Sequence, residues 1–456
     1  MANLYEKASL VLPTSPAYKD GAIQAYKPLT SQGTFDFSRG SNLAATRVDA
    51  NGLIEKGREN LLLYSNRFDT TWNTVNTSVT SGQTGYDGSN DAWLLTDNTA
   101  TGSHDVRQSI SLSDVGTLSV YAKAGTLNWL RIYDGTSISY FDLSGNGALG
   151  TIGAISASIE LVGGGWFRCS IVQQNISYAL LAVTTGNNIS NYTGTGSGSI
   201  YIQDAQLEQG LVATDYIETG ASTAQAGILE DLPRLDYSGG ASCPSLLLEP
   251  QRTNVFTDSE YFKGTDWILQ DATITNNAAI SPEGVQNASL YTSASELYDF
   301  VRQNISFVSG TTYTYSVFAK AGTSSLISLG YHSSAFGAGQ SATFNLSDGT
   351  YTLGSANPIA TMEDYGNDWW RCSITATATA STSRSTGFSS SASGAVTTMY
   401  LYGAQLEQGS YPTSYIPTYG SAVTRSQDVP TNLSASDLIG SDEGVMFLDL
   451  QTPSAI

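Results

Sequence analysis

The chain has 456 residues, enough for about two to four domains that each bury their own core. Hydrophobic residues make up 40% and charged residues only 13%, which excludes an intrinsically disordered chain, while 26 tyrosines and 45 glycines favour strands and tight turns. The formal net charge of −20 excludes binding to nucleic acid or to anionic membranes, because the chain lacks the basic surface that displaces counterions from phosphates.

The first residues do not predict a signal peptide or a membrane anchor. The apolar run from Ala8 to Pro13 is too short for the hydrophobic region of a signal peptide, and no apolar stretch approaches the ~20 residues of a membrane helix. Cys169, Cys243 and Cys372 are too few and too far apart for a disulfide framework or a zinc site. We therefore expect a protein made in a reducing cytoplasm, without membrane insertion.

Four pairs of motifs reveal an internal repeat with a period of about 200 residues. The first copies begin at Val106, Val120, Trp166 and Tyr201 (VRQSIS, VYAKAGT, WFRCSI, YIQDAQLEQG), and the second copies begin at Val301, Val317, Trp369 and Tyr400 (VRQNIS, VFAKAGT, WWRCSI, YLYGAQLEQG). A period of this length is a whole domain rather than a solenoid repeat or a propeller blade. The repeat predicts two homologous domains, at 58–220 and 252–420.

Each copy has the pattern of a β-sandwich. Segments such as Leu118–Ala122, Ile200–Ile202 and Thr312–Val317 alternate between apolar and polar residues, as strands do. Glycine-rich turns such as 163–165 separate these segments. We predict an all-β fold of tandem jelly-roll β-sandwich domains.

Three segments flank the predicted domains. Residues 1–57 are turn-rich and too short to bury a core, which predicts an extended N-terminal anchoring segment. Residues 221–251 are a linker or lead-in, because LDYSGG at Leu235 matches FDFSRG at Phe35. Residues 421–456 form a C-terminal tail or the start of a further β domain.

Three long phrases resemble one group of proteins. They are GLIEKGRENLLLYSN, PRLDYSGGASCPSLLLEPQRTN and GAQLEQGSYPTSYIPT, which begin at Gly52, Pro233 and Gly403. They are similar to sequences of phage head-spike, head-fibre and tail-fibre proteins, over residues 35–430. In that group a lead-in of this kind precedes a galactose-binding-like sandwich that is similar to carbohydrate-binding modules.

The resemblance implies a location and a set of partners. It implies a protein of the virion surface, in a head fibre, a capsid decoration or a tail fibre. We expect 1–57 to contact other virion proteins, because it is turn-rich and its first part lacks a repeat partner. It also implies attachment to glycans of the host or the environment. Tandem duplication and fibrous relatives favour a homo-oligomer, with a trimer preferred over a dimer or a monomer docked on the capsid.

The chain is poorly supplied with catalytic motifs, and we predict that it is not an enzyme. Its two histidines, His104 and His332, lie at non-equivalent places in the repeat, and no nucleophile elbow, HExxH helix or phosphate-binding loop is present. Since acids are scattered throughout, a carboxylate pair that cleaves polysaccharide stays open as the alternative. No cofactor is predicted.

Shared charged residues predict a structural pair in each domain. Arg58 and Arg252 open the two copies, and Glu208 and Glu407 end their last strands, so that each arginine is expected beside its glutamate. A structural Ca²⁺ site near the last strand stays open as the functional alternative, with Asp204 as a ligand. The second copy has glycine at this position, which weakens that alternative.

Five aromatic residues are candidates for a glycan-binding surface. A sugar presents apolar C–H faces that stack on an exposed flat ring, and aromatic residues that the repeat does not share are the better candidates, since shared tryptophans more often belong to the core. The candidates are Trp129, Tyr133, Tyr192, Tyr331 and Phe336. The shared Lys123 and Lys320 are interpreted as solvated strand ends.

Overall fold

The computed structural model describes residues 18–19, 22–24, 34–228, 232–240, 242, 244–294, 299–390 and 396–432. These residues form 36 β-strands, one α-helix and two short 3-10 helices, at Asn42–Ala44 and Ser238–Gly240. Among them, no helix has the length and apolar character needed to cross a membrane. The prediction of an all-β chain with tandem β-sandwiches is confirmed.

The described chain divides into two compact units. One unit is Arg58–Ala226, and the other joins 1–57 to 227–456. The N-terminal part of the latter holds β1 (Tyr18–Lys19), β2 (Ala22–Gln24), β3 (Thr34–Ser38), β4 (Thr46–Val48) and β5 (Ile54–Lys56).

The unit Arg58–Ala226, called the first sandwich, has one large sheet with the order β14-β13-β12-β16-β11-β18-β9-β8. Its two longest strands, β11 and β16, pair along most of their length, with register shifts between Ser109 and Val115. Its strands are β6 (Arg58–Asn60), β7 (Asn73–Val75), β8 (Thr77–Gln83), β9 (Ala92–Asp97), β10 (Thr101–Gly102), β11 (Asp105–Ala124), β12 (Trp129–Tyr133), β13 (Ile138–Asp142), β14 (Ala148–Ile152), β15 (Ser156–Gly163), β16 (Trp166–Thr184), β17 (Tyr192–Thr193), β18 (Ser199–Gln209) and β19 (Ala224–Ala226).

The other unit contains the second sandwich, β23 to β34, as two separate six-stranded sheets. Their orders are β23-β26-β33-β28-β29-β30 and β24-β25-β34-β27-β32-β31. The strands after Ala226 are β20 (Arg234–Asp236), β21 (Ser245–Leu247), β22 (Arg252–Asn254), β23 (Ile268–Gln270), β24 (Ala272–Ala279), β25 (Ala288–Ser293), β26 (Phe300–Phe307), β27 (Thr312–Ala321), β28 (Leu326–Gly330), β29 (Ser341–Asn345), β30 (Thr350–Leu353), β31 (Ile359–Asp364), β32 (Trp369–Thr377), β33 (Thr382–Ser390), β34 (Thr398–Gln408), β35 (Val423–Arg425) and β36 (Val429–Asn432), with α1 (Ser333–Phe336) after β28.

The repeat motifs occupy matching strands in the two sandwiches. The AKAG motif ends β11 and β27, the WxRC motif begins β16 and β32, and the AQLEQG motif ends β18 and β34. In both sandwiches the strand with AKAG lies between the other two, in the same register: Lys123 faces Tyr201 and Trp166, and Lys320 faces Tyr400 and Trp369. Each sandwich has its own apolar core.

Parts of the predicted flanking segments pack within one unit. Arg234 lies between Glu249 and Asp428, Asp428 also pairs with Arg39, and Arg425 pairs with Glu249. The guanidinium groups are fully buried or nearly so. Residues 39, 234, 249, 425 and 428 therefore form one ionic network that joins parts of all three predicted flanking segments. Arg39 and Asp428 are 389 residues apart in the sequence, so these charges meet only after the chain has folded.

Candidate functional site

In both sandwiches one row of side chains lies, in the same register, on the face of the sheet opposite the main core. Its two tryptophans are each 2% exposed and belong to smaller buried clusters. In the first sandwich, neighbouring strands place these side chains side by side: Leu94, Tyr201, Lys123 and Trp166. In the second sandwich the row is Leu290, Tyr400, Lys320 and Trp369. Ile200 and Ile202 flank Tyr201 and point into the core, so alternation directs the Tyr201 ring outward.

A shallow cleft of about 650 Å³ lies along this row in the first sandwich. Leu94, Lys123 and Tyr201 are half-buried there, so each presents part of its side chain to solvent. The lining combines one aromatic ring, one ammonium group and several hydroxyl groups: Leu94, Thr96, Lys123, Ala124, Gly125, Thr126, Ser197, Ser199 and Tyr201. The cleft is open to solvent and offers a ligand both apolar surface and polar groups.

A buried carboxylate orders the rim of the cleft. Asp97 accepts hydrogen bonds from the backbone N–H groups of Thr195, Gly196 and Gly198, at 3.1, 2.9 and 2.8 Å. The Thr126 hydroxyl donates to the Ser197 carbonyl at 2.7 Å. The loop that carries Ser197 is therefore fixed at the edge of the cleft before any ligand arrives.

The second sandwich holds a buried lysine from β5. Lys56 Nζ lies 2.8 Å from Glu260 Oε1 and 3.1 Å from Glu283 Oε2, and it donates to Tyr419 Oη at 2.7 Å. The side chains of Lys56 and both glutamates are at most 4% exposed. Ile54, two residues earlier, is buried in an aromatic cluster with Phe318, Trp369, Tyr402 and Tyr415.

In the first sandwich, residues of the sandwich itself cover the equivalent face. Tyr86 stacks on Tyr121, with ring centroids 3.8 Å apart, and its hydroxyl donates to Asp204 at 3.0 Å. In the repeat, Phe318 and Gly403 stand where the first sandwich has Tyr121 and Asp204. In the first sandwich the Tyr86–Asp204 pair therefore occupies the place that Ile54 and Lys56 occupy in the second sandwich.

Burial controls the titration of Asp204. Loss of hydration is the main cause that raises the pKa of Asp204 to about 7. The negative charges of Asp91, Asp87 and Glu218 also raise this pKa, whereas the hydrogen bond from Tyr86 lowers it. Asp204 also adopts a left-handed φ of 51°, a conformation that its equivalent Gly403 adopts at 59°. Asp204 is therefore largely protonated below neutral pH.

This pKa predicts a pH-dependent stability of the first sandwich. Because the folded-state pKa lies above the ordinary value, the folded state binds the extra proton, and stability falls as pH rises toward 7. We expect a loss of roughly 2 kcal/mol between pH 5 and pH 7. Scanning calorimetry of the full chain should show one transition that Asp204→Asn makes less pH-dependent. Asp69→Asn, at an exposed carboxylate, is the control; an unchanged pH profile for Asp204→Asn would contradict the prediction.

The two predicted arginine–glutamate pairs are both present. Arg58 Nη1 lies 3.6 Å from Glu208 Oε2, and Arg252 Nε lies 3.7 Å from Glu407 Oε2. The main partners of each glutamate are nearer groups, and these are the same in the two copies: the backbone N–H and the hydroxyl of Thr214 or Thr413, and the side-chain amide of Gln206 or Gln405. Through these hydrogen bonds, each glutamate stabilises the turn that follows its strand.

The structure corrects two of the five aromatic candidates. Tyr331 is 7% exposed and Phe336 is 1% exposed, and both belong to the core of the second sandwich, so the prediction of exposed sugar platforms was wrong for them. The reason is the short helix α1, which turns Phe336 inward to stack on Tyr331 with centroids 4.1 Å apart. The Tyr331 hydroxyl donates to the Tyr313 carbonyl at 2.9 Å.

The other three candidates are half-buried in the first sandwich and form no joint surface with the cleft. Trp129 and Tyr133 lie at opposite ends of β12, and Tyr133 stacks on Tyr178. The Tyr192 hydroxyl donates to Asp97 at 3.2 Å, and burial raises its pKa. Whether these rings bind glycan stays a prediction.

The sequence interpretation missed the row itself. Tyr201 and Lys123 are shared by the repeat, and sharing was taken as a sign of core or solvated positions. The available signal was that both residues alternate with apolar core positions, as in Ile200–Ile202, which places Tyr201 and Lys123 on the face of the sheet opposite the core. Among the described residues, no group of three or more histidine, cysteine or acidic side chains could hold a metal ion.

No protein-family model matches the chain, and no curated protein matches it. Among solved structures, the chain is similar to the N-terminal CBM22-1-CBM22-2 tandem domain from Paenibacillus barcinonensis Xyn10C, at 12% identity, over 85% of this chain and 100% of that one, with a TM-score of 0.22. A TM-score this low does not establish a shared fold, so the tandem β-sandwich architecture rests on the strand pairing described above.

Proposed function

We propose that this chain is a glycan-binding protein of a phage virion surface, and that the outer face of its sandwiches is the binding surface. The observation that carries the binding proposal is the half-buried part of the shared row, Leu–Tyr–Lys, which is identical in residue type and register in both sandwiches. A half-buried tyrosine beside hydroxyl groups suits a sugar, whose apolar face stacks on the ring while its hydroxyls form hydrogen bonds.

Duplication of the row favours attachment to glycans rather than catalysis. Two weak sites in one chain raise the avidity for a surface that repeats the same glycan, and a homo-oligomer, with a trimer preferred, multiplies this effect further. The virion location is supported by the three sequence phrases that resemble phage fibre and spike proteins. Immunogold labelling of purified particles tests the location, and light scattering of the purified protein tests the oligomer.

The binding proposal predicts a large effect of one substitution. We expect Tyr201→Ala to weaken glycan binding about tenfold, because the stacking surface is lost. Tyr400→Ala tests the second row in the same way, and the double variant should bind least. Glycan-array binding followed by titration calorimetry measures these effects. Tyr351→Ala is the matched control, because Tyr351 is a 40% exposed tyrosine on β30, outside both rows. The proposal would be overturned if Tyr201→Ala, Tyr400→Ala and the double variant all bound glycan as tightly as the wild type and the Tyr351→Ala control.

Polysaccharide cleavage is the alternative function, and the titration of Asp204 is the observation that favours it. A carboxyl group with a pKa of about 7, near the carboxylates of Asp87 and Asp91, has the protonation of a general acid. However, Tyr86 covers Asp204 and uses its carboxyl group as an acceptor. We therefore expect no new reducing ends when the protein is incubated with the polysaccharides that it binds.

A further inference from the structure

The lysines of the two rows differ in their surroundings. Lys320 Nζ lies 3.2 Å from Asp368 Oδ2 and donates to the Asn367 carbonyl at 2.8 Å. In the first sandwich, Gly165 precedes Trp166 just as Asp368 precedes Trp369. Lys123 forms no ion pair with any residue that the structure describes, so the equivalent ammonium group lacks the counter-ion found in the second sandwich.

Backbone conformation does not explain this difference. Asp368 has a left-handed φ of 65°, and Gly165 has a φ of 80° in the same region. A Cβ atom at Gly165 would lie 3.7 Å from Lys123 Cε, in ordinary van der Waals contact. A side chain at this position would therefore reach the lysine, and the first sandwich differs by the loss of the carboxylate itself.

We propose that the cleft of the first sandwich binds an anionic glycan, one that carries a carboxylate or a sulfate group, with the anionic group on Lys123 Nζ and a sugar ring on Tyr201. This inference rests on the proposed function and names its ligand class. Lys123 is the only charged residue of the cleft lining, which contains no acid. Thr96, Thr126 and Ser199 also line the cleft and add polar groups to it.

The net charge of −20 does not oppose such a ligand at close range. At physiological ionic strength, charges more than about 8 Å apart are largely screened, so that the nearest groups dominate. A charge-assisted hydrogen bond between an ammonium group and an anionic oxygen is about twice as strong as a neutral one. In the second sandwich the Asp368 carboxylate lies within ion-pair distance of Lys320, and in the first sandwich the equivalent place beside Lys123 is left for a ligand.

The test uses matched pairs of oligosaccharides and the full chain. One pair is an oligomer of uronic acid and its methyl ester, and the other is a sulfated oligomer and its desulfated form. We expect the wild type to bind at least one anionic member about tenfold more tightly than its neutral counterpart. Lys123→Met and Gly165→Asp should each remove this preference by weakening binding of the anionic member.

Further variants separate the inference from the proposed function. Asp368→Gly frees Lys320 and should increase binding of the anionic member, whereas Lys263→Met, at an exposed lysine outside the cleft, should change nothing. Equal affinity for both members of each pair would overturn the inference and leave glycan binding intact. Absence of binding to any glycan, neutral or anionic, would overturn the proposed function and the inference together. The two pairs distinguish carboxylate from sulfate.

Discussion

Replacing Lys56 with methionine is expected to destabilise the second sandwich by about 3–5 kcal/mol. The substitution removes the ammonium group that lies between Glu260 and Glu283 and leaves two carboxylates buried without their cation. Methionine fills a similar volume, so the effect reports charge rather than a cavity. Scanning calorimetry of the full chain should show one transition shifted to a lower temperature and the other unchanged.

Two further variants make the interpretation specific. The triple variant Lys56→Met, Glu260→Gln, Glu283→Gln should recover part of the lost stability, because the uncompensated charges are gone and the amides still accept hydrogen bonds from Tyr402 and Tyr415. Lys263→Met, at an exposed lysine, should have almost no effect. Wild-type stability of Lys56→Met would show that the buried ion pairs do not hold β5 in place.

Replacing Glu249 with glutamine should have an effect of similar size on the same unit. Glu249 Oε2 lies 2.8 Å from Arg234 Nη1 and 3.0 Å from Arg425 Nη1, and both guanidinium groups are fully buried. The substitution leaves Arg425 without a carboxylate within 4 Å in the described structure, and we expect a loss of about 3–5 kcal/mol. Chemical denaturation of the full chain, followed by circular dichroism, measures the loss.

The same carboxylate predicts sensitivity to acid. Burial alone would raise the pKa of Glu249, but the charges of Arg425 and Arg234, together with hydrogen bonds from Ser414, outweigh it and lower the pKa to about 2. A lowered pKa stabilises the fold above the ordinary value near 4.5, and this stability is lost as pH falls from there toward 2. Glu249→Gln should therefore flatten the acid limb of the stability profile.

A surface pair provides the control for Glu249. Arg47 Nη2 and Glu55 Oε2 lie 2.7 Å apart, but their side chains are 28% and 32% exposed. Glu55→Gln should cost less than about 1 kcal/mol, because solvent screens the pair. Similar losses for Glu55→Gln and Glu249→Gln would contradict the assignment of stability to the buried network.

The opposite titrations of Asp204 and Glu249 distinguish the two sandwiches. Acid favours the protonated Asp204 of the first sandwich and disfavours the unit that contains Glu249. Both carboxyl groups are largely buried, and the difference lies in their neighbours: other carboxylates surround Asp204, while two arginines surround Glu249. No feature of the local sequence around either residue indicates which environment it enters.

Periodicity and repetition in the sequence determined the architecture. Alternating segments such as Ile200–Ile202 require that one face of each strand be buried, and the two copies of the AKAG, WxRC and AQLEQG motifs require that the same strands meet twice. The pairs Arg58–Glu208 and Arg252–Glu407 could be anticipated because first and last strands of a sandwich are neighbours. These features depend on patterns within about ten residues or on comparison of one copy with the other.

Only the tertiary structure decided which polar groups are buried together and which rings reach solvent. Lys56 meets Glu260 across 204 residues, and Arg39 meets Asp428 across 389 residues, so no local pattern encodes either contact. Phe336 turned inward because a single helical turn redirects its side chain, although its loop position in the sequence suggested exposure. Burial is a property of the whole packed molecule, and the chemistry of Lys123, Asp204 and Glu249 follows from what folding places beside them.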